Sequence, residues 1–88
     1  MEVIFIGKAE KDLKEWKHAG NETVLKRIRK LIEEIQRDPY AGIGKPEPLK
    51  YNLSGKWSRR ITEIDRIVYE IEEGKIKVYS LKGHYLQK

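Results

Sequence analysis

The chain has no cysteine, which excludes disulfides and thiolate-bound zinc as supports for its core. It also has no apolar run approaching the 18 or more residues of a membrane span. The apolar opening "MEVIFIG" lacks the cationic n-region and the length of a signal peptide. Together these absences lead us to expect no membrane association and a cytoplasmic location. There is no internal repeat, low-complexity tract or Ser/Gly-rich linker. Histidine occurs only at His18 and His84. With no cysteines and no clustered carboxylates, metal-ligand spacing is absent, so no metal or other cofactor is expected. A phosphate-cradling loop is missing too. "GIGKP" has two glycines, but Pro46 blocks the helix that should follow. Ser54 in "NLSGK" has no histidine at a telling distance and reads as turn chemistry.

What is present is charge. The net charge is +5, with a pI near 9.5. This favours a polyanionic partner through phosphate neutralisation and counterion release. Eighty-eight residues are expected to form one domain, residues 1–88, with a thin core that buries roughly 60–65% of the unfolded surface.

The hydrophobic period changes midway. Glu2 to Ile6 reads as a strand ended by Gly7. Ala9, Leu13 and Trp16 recur at helical spacing until Gly20. Asn21 is placed to cap a longer helix on which Val24, Ile28, Leu31, Ile32 and Ile35 form one stripe, and Pro39 stops it. After that "GIGKPEP" reads as loop, "LKYNL" as a short strand and "NLSG" as a turn. "KWSRRITE" and "RIVYEIEE" alternate as paired strands joined near Glu63 to Asp65. Gly74 then turns the chain into a last strand, "KIKVYSLKGHY". Short connections imply antiparallel pairing. The expected fold is α+β: two N-terminal helices on a curved, mainly antiparallel sheet of four to five strands.

The segment Lys45–Ile61, "KPEPLKYNLSGKWSRRI", holds five basic residues and a single acid, Glu47, between two prolines. A surface carboxylate drawn to nearby lysines would explain Glu47. The flanking prolines also restrict φ, and such stiffness suits a catalytic group that must be held in place. Lys50, Arg59, Arg60 and Arg66 read equally as a solvated face. Alternation puts Trp57, Arg59 and Ile61 on one side of their strand and Ser58 and Arg60 on the other. Only one of the two arginines can therefore serve a given site, and parity alone leaves open which. Of the histidines, His18 follows a charged helical face and reads as solvated, whereas His84 reads as an edge or surface residue.

"GKPEPLKYNLSGKWSRRITEIDRIVYEI" followed by a terminal "HY" resembles the YoeB (Txe) toxins of the RelE superfamily, most closely over Gly44 to Tyr69. The resemblance implies a RelE-like microbial RNase fold. It further implies a type II toxin that enters the ribosomal A site and cleaves the mRNA there, without a metal, by 2′-OH attack. It places a general base on Glu47, a phosphate-stabilising arginine on Arg66 and a general acid on His84, with Lys50, Arg60 and Tyr85 as accessory RNA- or phosphate-binding residues. The partners it implies are an acidic YefM-like antitoxin, the ribosome with its mRNA, and room for a homodimer. This chain departs from the family in one respect: Leu86, Gln87 and Lys88 follow "HY". Two alternatives remain, a ParE-like gyrase-binding toxin and a non-catalytic basic RNA- or ribosome-binding module. Neither has a need for both a base and an acid.

Overall fold

The computed structural model describes residues 1–83. The chain runs through β1 (Glu2–Phe5), α1 (Lys8–His18), α2 (Glu22–Arg37), β2 (Glu47–Pro48), a 3₁₀ turn (Tyr51–Leu53), β3 (Trp57–Arg60), β4 (Arg66–Glu72) and β5 (Lys75–Ser80). The strands form one sheet in the order β1-β5-β4-β3-β2. The pairs β2–β3, β3–β4 and β4–β5 are antiparallel, while β1 lies parallel to β5, with Val3 opposite Ile76 and Phe5 opposite Val78. The α+β expectation holds, with a five-stranded mixed sheet. The parallel pair joins the two ends of the described chain, which no local pattern encodes.

The local elements follow from the residues that form them. The Asn21 side chain accepts the Val24 N–H at 3.1 Å and satisfies one of the donors left free at the start of α2. Val24, Ile28, Leu31 and Ile35 are buried and Ile32 is half-buried, as their spacing predicts. At the other end Asp38 is extended (φ −153°, ψ 106°), because Pro39 disfavours helical geometry in the residue before it. On the sheet side Ile67, Tyr69, Ile76 and Val78 meet this stripe, and Ala9, Leu13 and Trp16 of α1 close the core.

Three expectations need correction. Glu47 and Pro48 belong to an edge strand rather than a loop. Its two residues pair with Ser58 and Trp57, an edge position where proline is tolerated because its missing N–H breaks no ladder. "LKYNL" is not a strand. The Leu53 N–H reaches the Lys50 carbonyl and the Ser54 N–H reaches that of Tyr51, closing the tight turn that returns the chain to β3. The last strand ends at Ser80 instead of running on toward Tyr85. Helix α1 captures the chain there with polar side chains spaced four residues apart. Lys8 Nζ donates to Ser80 Oγ (3.1 Å) and to the Lys82 carbonyl (2.8 Å), and Trp16 Nε1 donates to the Leu81 carbonyl (2.9 Å). The buried Asp12 carboxylate accepts the Leu81 N–H at 3.0 Å. Groups so satisfied on both sides have no reason to continue a ladder.

Candidate active site

Residues directly opposite in a ladder project to the same face. Glu47 faces Ser58, and Arg60 faces Arg66. Since Ser58 and Arg60 are two positions apart, all four share the face turned away from the helices. There Arg66 Nη2 lies 3.6 Å from Glu47 Oε2, an ion pair longer than a hydrogen bond. Arg66 is oriented from behind: its Nε donates to Ser58 Oγ at 2.9 Å and its Nη2 to the Lys45 carbonyl at 3.4 Å. Its side chain is only 19% exposed, against 54% for Glu47. The result is a held guanidinium beside an accessible carboxylate. Lys45 supplies its carbonyl from a left-handed backbone (φ 53°), a conformation that costs a non-glycine residue about 1 kcal/mol or more and tends to persist at functional sites.

Arg60 is exposed directly across from Arg66, and Lys50 is exposed at the start of the 3₁₀ turn. The structure thus unites Glu47, Arg66 and Arg60 on one face. His18 is exposed at the end of α1, as expected. His84, Tyr85 and the Leu86–Lys88 extension lie outside the described residues. Ser58 was not expected as a site residue. Its signal was its parity with Arg60 and its place on a strand opposite the proline-flanked glutamate.

The other arginine faces the core. Arg59 is fully buried. Its Nε donates to Tyr69 Oη (3.1 Å), Nη1 to the Ile43 carbonyl (3.1 Å), and Nη2 to the carbonyls of Asp38 (2.6 Å) and Ala41 (2.9 Å). It therefore organises the loop that leads to Glu47. Gly44 completes that loop at φ +83°, where a Cβ would fall 2.9 Å from Leu31 Cδ2. Its carbonyl accepts the Arg60 N–H at 2.7 Å. Burial pushes the Tyr69 hydroxyl pKa up, with Arg59 opposing it, and the hydroxyl donates to the Pro39 carbonyl.

Toward the far end of β4, Tyr79 Oη donates to Glu70 Oε1 at 2.8 Å and Lys56 Nζ lies 4.7 Å from the centre of the Tyr79 ring. Burial, and next the hydrogen bond to Glu70, raise the Tyr79 pKa to about 12, so this ring carries a neutral hydroxyl at physiological pH. Among the described residues no three Asp, Glu or His side chains gather as a metal ion would require. No described helix is long and apolar enough to cross a membrane.

These features define a small cationic α+β protein whose sheet presents a carboxylate and two guanidinium groups on the face opposite its helices. The family model for the YoeB-like toxin of bacterial type II toxin–antitoxin systems matches residues 5–85. A toxin YoeB from Synechocystis is 51% identical over 70 residues, covering 80% of this chain and 81% of its own. The YoeB/ParE toxin from Agrobacterium tumefaciens superposes with a TM-score of 0.92 at 34% identity, over 97% of this chain and all of that one. The toxin in a heterotetrameric YoeB–YefM complex from Staphylococcus aureus does so with 0.87 at 38% identity, over 97% and 98%. The chain belongs to the YoeB-like toxins of bacterial type II toxin–antitoxin systems.

Proposed function

We propose that this toxin is an endoribonuclease that cleaves mRNA in the ribosomal A site and so arrests translation in the cytoplasm. The observation that carries this reading is the Glu47–Arg66 pair, an accessible carboxylate beside a guanidinium locked by Ser58. Glu47 takes the proton of a ribose 2′-OH as that oxygen attacks the adjacent phosphorus. Arg66, with Arg60 and Lys50, stabilises the charge that develops on the phosphoryl oxygens. The P–O5′ bond breaks, and His84 protonates the departing oxygen. The products are a 2′,3′-cyclic phosphate and a 5′-hydroxyl end. Tyr85 is the accessory RNA contact of the same site. Every step uses protein side chains, so no metal enters.

An acidic, YefM-like antitoxin segment is the partner that neutralises the toxin. The +5 charge and the YoeB–YefM complex of a similar protein support it. Such a segment folds onto the Lys50–Arg66 face, and its affinity falls as salt rises.

The test is single-turnover cleavage of mRNA on purified translating ribosomes, with the fragment ends mapped. Cuts in the A-site codon that leave 5′-hydroxyl ends, and that persist when EDTA is added within the range that keeps ribosomes intact, support the reading. Stalled translation with intact mRNA would identify a binder instead.

A further inference from the structure

Asp65 is a charged residue that no step of the proposed chemistry uses, yet it is only 6% exposed. Both its oxygens are engaged. Thr62 Oγ1 donates to Oδ2 at 2.7 Å, and the Gly83 N–H donates to Oδ1 at 2.7 Å. The Thr62 hydroxyl is itself set by the N–H groups of Ile64 (3.1 Å) and Asp65 (3.0 Å). One residue further on, the Arg66 N–H donates to the Gly83 carbonyl at 2.9 Å. Both backbone groups of Gly83 are therefore tied, one to Asp65 and the other to Arg66, the first residue of β4. Gly83 takes φ +76° with open space around it, so it is conformation rather than crowding that favours glycine here. The preceding residues, Ser80 to Lys82, are already held by Lys8, Asp12 and Trp16. The residue after Gly83 is His84.

We infer that Asp65, oriented by Thr62, is a positioning residue for the general acid: it fixes the point from which the chain enters residue 84, in register with Arg66. The inference rests on the reading of His84 as the acid. Two adjacent residues divide the task. Asp65 holds the acid's chain neighbour, and Arg66 holds the phosphate. A misplacement of about 1 Å in such a group is enough to cost on the order of 10²-fold in rate.

The leaving group separates positioning from general damage. A sulfur atom in place of the bridging 5′-oxygen departs as a stable thiolate and needs little help from an acid. The experiment compares ribosome-bound mRNA carrying either the native linkage or a 5′-bridging phosphorothiolate at the A-site codon. Toxin is saturating and folding is checked by circular dichroism. His84→Gln is expected to be slow on the oxygen linkage and near parental on sulfur, whereas Glu47→Gln should be slow on both. Asp65→Ala should follow His84→Gln, with a loss of about 10²-fold on oxygen that shrinks to a few-fold on sulfur and with unchanged ribosome affinity. Asp65→Asn keeps an acceptor for the Gly83 N–H and should recover most of the rate. If Asp65→Ala does not fold, Thr62→Val carries the comparison, with a smaller loss on oxygen that also disappears on sulfur. Equal losses on both linkages for the Asp65 or Thr62 variants, while His84→Gln is rescued, would overturn the positioning role and leave the acid in place. Parental cleavage of the oxygen linkage by His84→Gln would overturn both.

Discussion

Arg59 and Arg60 are neighbours in the chain with opposite surroundings. Arg59 points into the core, where three backbone carbonyls and the Tyr69 hydroxyl receive its N–H groups. Arg60 stands exposed on the other face, across the ladder from Arg66. A buried guanidinium is tolerable only when its donors are satisfied, and once satisfied it rigidifies everything that supplies the acceptors. An exposed one is left available for a phosphate. The two faces of β3 thus separate a buried tether from an open charged surface. The buried face builds the loop that delivers Glu47, and the open face carries the residues proposed for cleavage.

That separation can be broken in four ways. Glu47→Gln, on the open face, should lower single-turnover cleavage by about 10²–10⁴-fold, or roughly 3–5 kcal/mol of barrier. Urea midpoints should stay within the small range of surface substitutions. Parental cleavage by Glu47→Gln would reduce the proline-flanked motif to a rigid turn.

Arg59→Ala should do the reverse. Unpaired carbonyls and lost packing should cost about 3 kcal/mol of stability, measured by urea denaturation. Arg59→Lys should recover only part, because an ammonium cannot reproduce the planar fork. A stable, inactive Arg59→Ala protein would instead place Arg59 in the chemistry.

Arg60→Ala should change stability by no more than about 0.5 kcal/mol. It should weaken binding to RNA or antitoxin with a salt slope shallower by about 1, read by calorimetry across ionic strengths. An unchanged slope would remove Arg60 from the phosphate contacts.

The smallest effect concerns alkaline pH. Tyr79 has its pKa raised from the ordinary 10.0 to about 12, so the fold holds this proton more tightly than the unfolded chain does. Its contribution is complete below pH 10 and is lost as pH rises toward 12. Tyr69 is shifted in the same direction. Tyr79→Phe should flatten part of the stability decline above pH 10 and leave the part due to Tyr69. An unchanged decline would show that Tyr79 is not its source.

Much of the fold was legible because its signals are local. The stripe Val24–Ile28–Leu31–Ile35, the Asn21 cap and the Pro39 stop depend on residues within a turn of one another, and all three hold. The misreadings came where pairing is decided elsewhere. Two residues of β2 carry no periodic signal, and they become a strand only because β3 lies alongside. Residues 81–83 continued the alternation in the sequence, yet side chains from α1 and Asp65 claim their backbone groups.

The amino-acid sequence by itself determined the class of this protein: a cationic α+β chain without thiols, carrying a stiffened glutamate and a run of arginines specific enough to mark its family. Its two-residue period also determined that Arg59 and Arg60 point to opposite faces. Only the tertiary structure decided which face is covered, because parity fixes a difference between neighbours and not a direction. By packing α2 against β3 and β4, the fold turned Arg59 into a buried tether. It left Arg60, Arg66 and Glu47 together on the open side, and made Asp65, otherwise a turn residue, the anchor of the segment that leads into His84.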